Sequence, residues 1–127
     1  NIASHCPLMS TVSESLGDFI EASIKFNDPE IPFLSTTEVS YRDGKDIKDT
    51  LKGQLVNPIK WVDSIGFLLD RGVDTFIEIG PGKVLSGLTA RIARKHKKDI
   101  TVLNTSDLGD IENTISKLQE RGLLDEA

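Results

Sequence analysis

The chain has 127 residues and a mass of 13.9 kDa, the size of one ordinary domain. Its 20 acidic and 15 basic residues leave a formal charge of −5, which argues against a dedicated nucleic-acid binder. Hydrophobic residues make up 38% and charged residues 28%, a globular balance; the single cysteine excludes an internal disulfide framework or a cysteine-rich zinc site, and no apolar run is long enough to span a bilayer.

The chain opens Asn1-Ile2-Ala3-Ser4, with no initiator methionine and no leader pattern. That is expected of a processed N-terminus or of a piece of a longer chain, and the motifs below favour the second. Leu8, Val12, Leu16, Ile20 and Ile24 recur every fourth residue with Phe19 beside them, which predicts an amphipathic helix over about residues 8–24 with that set facing inward. Asn27-Asp28-Pro29 ends it. Ile31 to Thr37 reads as a short strand, and Ser40 to Lys45, centred on Asp43-Gly44, as a turn or surface loop.

A polar helix is predicted from about Asp46 to Leu55, with Ile47, Leu51 and Leu55 four apart. Asn57-Pro58 breaks it and opens the next, since proline suits a first helical turn. From Pro58 to about Arg71, Trp61, Val62, Ile65, Leu68 and Leu69 form a broad apolar stripe, and Gly72 stops it. Thr75 to Ile79 reads as a buried strand, Gly80-Pro81-Gly82 as a tight turn, and Lys83 onward as a helix with Val84, Leu85, Leu88 and Ile92 on one side. Ile100 to Leu103 is a third strand, and Ser106 or Asp107 caps a last helix with Ile111, Ile115 and Leu118 inward. Strands alternating with helices predict an α/β layer architecture of three parallel-type strands with flanking helices. Three strands are few for such a sheet, a second sign that the chain continues upstream.

Few residues offer chemistry. His96 lies in the basic run Arg94 to Lys98 at a helix C-terminus, where a solvated cation is favoured by the helix dipole. His5 lies in a non-helical segment just ahead of a helix, and an imidazole there could act as a general base. Its covalent neighbours Ser4 and Cys6 point to opposite sides in an extended segment, so neither is placed to offer it a hydroxyl or thiol. There is no Gly-x-Ser-x-Gly elbow, so if His5 is a base its nucleophile is expected to lie outside these residues. Cys6 reads as a small buried side chain. The Glu78-to-Lys83 segment runs from a strand through glycines into a helix start. It could hold an anion on free N–H groups, or it could simply be a tight turn whose glycines permit close packing. It matches neither the Walker pattern nor the dinucleotide fingerprint. The carboxylates are scattered, and no metal or other cofactor is expected.

Several segments together resemble one family. Ser4-His5-Cys6-Pro7-Leu8-Met9 is similar to the segment bearing the catalytic histidine in malonyl-CoA:acyl carrier protein transacylases of bacterial-type fatty acid synthesis. Gln54-Leu55-Val56-Asn57-Pro58-Ile59-Lys60-Trp61 resembles the family's Gln-Leu-x-x-Pro-Val-x-Trp segment. Phe76 to Leu88, with Gly-Pro-Gly-Lys at its centre, resembles the strand-turn-helix near the family's C-terminus, in the form of the stand-alone enzymes rather than the polyketide-synthase domains. The intervals between the segments match as well.

The resemblance implies that residues 1–127 are the C-terminal segment of the enzyme's large α/β-hydrolase-like domain. It implies ping-pong transfer of a malonyl group from malonyl-CoA to the phosphopantetheine thiol of acyl carrier protein, in the cytoplasm. His5 would be the base and the main-chain carbonyl of Gln54 its orienter. The partners implied are malonyl-CoA, acyl carrier protein and the upstream part of the same enzyme, with no nucleic acid and no membrane. The serine elbow, the oxyanion-hole donors, the malonyl-clamping arginine and the small ferredoxin-like subdomain lie upstream in the family and are absent here, so this segment alone is expected to be inactive. Two other readings stand beside this one: a non-catalytic interaction module derived from the same family, and a small anion-binding α/β protein using the Gly80–Gly82 turn.

Overall fold

The computed structural model describes residues 4–125, so the opening Asn1 to Ala3 lies outside the described residues. The chain divides into two compact units, Asn1–Ser64 and Ile65–Ala127.

The first unit opens with a single 3-10 turn, Pro7–Met9, whose proline at the first position needs no hydrogen-bond partner for its nitrogen. Helix α1, Ser10–Ser23, follows directly. Within this chain its buried face differs from the expected one, with Ile20 in common. Ser13, Gly17 and Ile20 face inward, while Leu8, Val12 and Phe19 are 82%, 50% and 60% exposed. The reason is the closeness of helix α2, Gly44–Val56. The Lys52 side chain lies over Gly17, where an added Cβ would come within 2.6 Å of Lys52 Cδ, and the Ser13 hydroxyl donates to the Lys52 carbonyl at 2.9 Å. Small residues permit this approach, and bulk at those positions would block it.

Between the two helices stands a hairpin where one strand and a loop were expected. Strand β1, Phe33–Ser35, pairs antiparallel with β2, Ser40–Arg42, in the register Phe33 to Arg42 and Ser35 to Ser40. A turn over residues 36–39 joins them, closed by the Val39 N–H on the Ser35 carbonyl at 2.8 Å, with Val39 in the left-handed region at φ 56°. So short a connection can only make an antiparallel pair, because a parallel one needs a crossover. Arg42 Nε donates to Thr50 Oγ1 at 3.1 Å and pairs with Glu38 Oε2 at 3.3 Å, which fastens the hairpin to the middle of α2.

Helix α3, Trp61–Leu69, leads into the second unit; Ile65 and Leu69 on its predicted stripe are buried and Val62 is exposed. The second unit is a β-α-β-α run: β3 Thr75–Glu78, α4 Val84–Lys95, β4 Thr101–Asn104 and α5 Leu108–Glu120. β3 and β4 are parallel, Thr75 opposite Thr101 and Glu78 opposite Asn104, with α4 as the crossover. This is the only parallel pair among the described residues. The α/β class therefore holds, but the three parallel-type strands become two antiparallel and two parallel ones in separate sheets.

α4 buries Thr89, Ile92 and Ala93, so only Ile92 of its expected inward set is buried. α5 buries Thr114, whose hydroxyl donates to the Asn104 carbonyl at 2.8 Å, while Ile111 and Ile115 are exposed. As on α1, a small side chain that satisfies a strand or helix carbonyl sits where periodicity alone would place a large apolar one. Among the described residues, no helix is long and apolar enough to cross a membrane.

Candidate active site

His5 adopts a left-handed backbone, φ 58°. This is uncommon for a residue with a Cβ, although histidine is among the types that tolerate it. Cys6 returns to extended geometry, φ −149° and ψ 165°, and the chain enters the 3-10 turn against α2. The result is a half-buried imidazole turned toward the end of that helix. His5 Nδ1 donates to the main-chain carbonyl of Gln54 at 2.6 Å, across 49 positions of sequence.

The donor role follows from chemistry. A carbonyl has no hydrogen to give, so the proton of the neutral ring is on Nδ1 and the lone pair on Nε2. Gln54 stands in the last turn of α2, where backbone carbonyls lack helical partners. Such an end also carries a partial negative charge of about half an elementary charge. The ring therefore has a negatively polarised neighbour without any carboxylate.

Ser4 is exposed and Cys6 half-buried. His96, the other histidine, is exposed, and its ring lies near Gly66, where an added Cβ would meet His96 Cε1 at 3.3 Å. Structure thus brings one of the two histidines to a main-chain acceptor and leaves the other on the surface of the second unit.

The Gly80-Pro81-Gly82 turn is occupied from within. Lys83, at the cap position of α4, offers no side-chain acceptor to the helix start. Glu78 supplies it instead from the end of β3: Oε1 accepts from the Leu85 N–H at 3.2 Å and Oε2 from the Ser86 N–H at 2.7 Å. Its carboxyl is held below the ordinary range first by the Ser86 hydroxyl, then by the Ser86 N–H, with burial opposing and the Leu85 N–H adding less. That hydroxyl is close enough to favour the anion but falls short of hydrogen-bond geometry, so the two N–H contacts define the cap.

The turn is fastened to the segment after β4. Gly80 N–H donates to Thr105 Oγ1 at 3.3 Å, Gly82 N–H to Ser106 Oγ at 2.9 Å, and Lys83 Nζ to Asp110 Oδ1 at 2.8 Å. That contact with Asp110 raises the Lys83 ammonium above its usual value. Four of the N–H groups that an external anion would use, those of Gly80, Gly82, Leu85 and Ser86, are therefore engaged, against the anion-binding reading. Nor are the glycines there for close packing. A Cβ at Gly80 or Gly82 would meet nothing within 4 Å; what glycine permits is the positive φ, 136° and 86°.

Glu78 is the residue that sequence reasoning missed. The available signal was a helix start with lysine at its cap and the nearest upstream acid at the end of the preceding strand.

No family model matches the chain. The malonyl CoA-acyl carrier protein transacylase of Escherichia coli strain K12 is 40% identical over 93 residues, which is 72% of this chain and 30% of that protein. The protein of the same name from Bacillus subtilis strain 168 is 38% identical over 117 residues, 91% of this chain and 35% of its own length. The solved structure of malonyl CoA-acyl carrier protein transacylase from Clostridium perfringens ATCC 13124 superposes with a TM-score of 0.82 at 35% identity, covering 94% of this chain and 37% of that one. The chain spans about a third of the length of the curated relatives it matches. In sequence and in fold, over most of its own length and about a third of theirs, this chain is a relative of the malonyl CoA-acyl carrier protein transacylases.

Proposed function

We propose that this chain is the C-terminal segment, residues 1–127, of the large α/β-hydrolase-like domain of a cytoplasmic malonyl-CoA:acyl carrier protein transacylase of fatty acid biosynthesis. In this reading it supplies the general base, and the serine nucleophile belongs to the rest of the enzyme. Support comes from relatives that carry this name, from three motif segments in the family's order, and above all from the 2.6 Å contact between His5 Nδ1 and the Gln54 carbonyl.

The chemistry runs in two half-reactions. His5 Nε2 takes the serine hydroxyl proton as the serine oxygen attacks the malonyl thioester of malonyl-CoA. The C–S bond breaks, the proton passes to the departing CoA sulfur, and a malonyl ester remains on the serine. The phosphopantetheine thiol of acyl carrier protein then gives its proton to Nε2 and attacks that ester. The serine oxygen leaves and recovers the proton. In both halves the Nδ1–H stays on Gln54 and holds the tautomer, the task an aspartate performs in a Ser-His-Asp triad.

The deciding experiment is His5→Ala in the assembled enzyme that carries the serine. Turnover should fall by about 10²–10⁴-fold, the usual weight of a lost general base. Retention of full activity would remove His5 from this role.

A further inference from the structure

The contact between His5 and Gln54 depends on a carbonyl that an uninterrupted helix would have used. In an α-helix the carbonyl of residue 54 accepts from the N–H of residue 58. Residue 58 is proline, which has no N–H. We infer that Pro58 is a positioning residue for the proposed base: by withholding that donor it leaves the Gln54 carbonyl to His5. This rests on the transacylase reading for its catalytic consequence, but not for its structural one.

Three further observations on the same helix end support it. Asn57 is extended, φ −114° and ψ 150°, as the residue before a proline must be, so α2 ends at Val56. Asn57 is also the nearest remaining donor, and it is committed one carbonyl earlier: its N–H and its Nδ2 both donate to Gly53, at 3.0 and 2.8 Å. Beyond the proline, Lys60 donates its N–H to the Thr36 carbonyl at 2.8 Å, which draws the chain off the helix axis toward the hairpin turn. The backbone donor at position 58 is thus deleted and those of Asn57 and Lys60 are engaged elsewhere, so none of the three competes with the His5 ring for the Gln54 carbonyl. The spacing of Gln54 and Pro58, four residues, is the helical hydrogen-bond interval, which gives the Gln-Leu-x-x-Pro pattern a physical meaning.

The test reads the ring directly. The chain has two histidines, so ¹⁵N-histidine labelling of the full chain yields two ring systems, with His96 as internal reference and His96→Gln for assignment. The neutral His5 ring should be chiefly the Nδ1–H tautomer. In Pro58→Ala a donor returns to position 58, and the Nε2–H tautomer usual in solution should rise several-fold, with His96 unchanged. In the assembled enzyme the same variant should lower kcat about tenfold and leave KM in place, because a misoriented base loses transition-state and not ground-state interactions. A second variant, N-methylalanine at position 58 by semisynthesis, has no N–H and no ring and should retain the wild-type tautomer. An unchanged tautomer ratio in folded Pro58→Ala would overturn the inference. So would loss of the Nδ1–H tautomer in the N-methylalanine chain, which also decides the matter if the alanine variant does not fold. Either result leaves the transacylase reading standing, because His5→Ala tests that separately.

Discussion

Two helix ends in this protein solve the same problem in opposite ways. At the C-terminus of α2 a carbonyl is left over, and His5 takes it with one nitrogen while the other nitrogen remains able to accept a proton. At the N-terminus of α4 several N–H groups are left over, and the Glu78 carboxylate takes two of them, those of Leu85 and Ser86, one with each oxygen. The first pairing holds a group that can still do chemistry; the second consumes its partner. A helix terminus becomes a reactive site only when its occupant keeps an atom in reserve.

The comparison can be broken at either end. His5→Ala should have the largest effect, the turnover loss given above, with stability nearly intact because the imidazole is only half-buried. Gly82→Ala comes next. Nothing obstructs its Cβ, so only the left-handed φ of 86° opposes it, and thermal or denaturant unfolding should show a loss of about 1–2 kcal/mol. A neutral result there would mean that the turn relaxes without cost.

Glu78 offers a pH signature. Its folded pKa lies below the ordinary carboxylate value, so its contribution is complete above about pH 4.3 and is lost as pH falls through the lowered folded value. Protection of the Leu85 and Ser86 amides, measured against their intrinsic exchange rates at each pH, should fall over that acid window, and Glu78→Gln should abolish the dependence. Glu78→Ala should go further and open the N–H groups, so that phosphate shifts the Leu85 and Ser86 resonances in the variant and not in the parent. Phosphate shifts of equal size in both would contradict the sealed turn. The smallest effect belongs to Gln54→Ala. Its role is carried by the main chain, so kcat should stay within about twofold, the range of surface substitutions away from special features.

Much of the secondary structure was legible. The 3.6-residue periodicity located the five α-helices of the described residues, and Pro58 and Gly72 marked the stops of α2 and α3. β3 and β4 were found within a residue or two of their ends. β2 was missed because Ser40-Tyr41-Arg42 has little apolar alternation, and its place in a strand is decided by the turn that folds it back on β1. Within this chain, the faces that α1 and α5 bury differ from the expected ones for a related reason. Periodicity ranks residues by hydrophobicity, whereas close approach to a neighbouring backbone selects Ser13, Gly17 and Thr114, which are small or can donate to a carbonyl.

The site divides in the same manner. Residue order alone determined that α2 must end before Pro58 and that its final carbonyls would lack helical donors, because those are local properties of the backbone. It also supplied the motif through which His5 and Gln54 were named. That an imidazole 49 positions away meets the carbonyl at 2.6 Å, and that a strand-end carboxylate fills the start of α4, were decided by tertiary packing. No local pattern encodes which distant donor reaches an unpaired backbone group; that depends on where the folded chain brings its segments together.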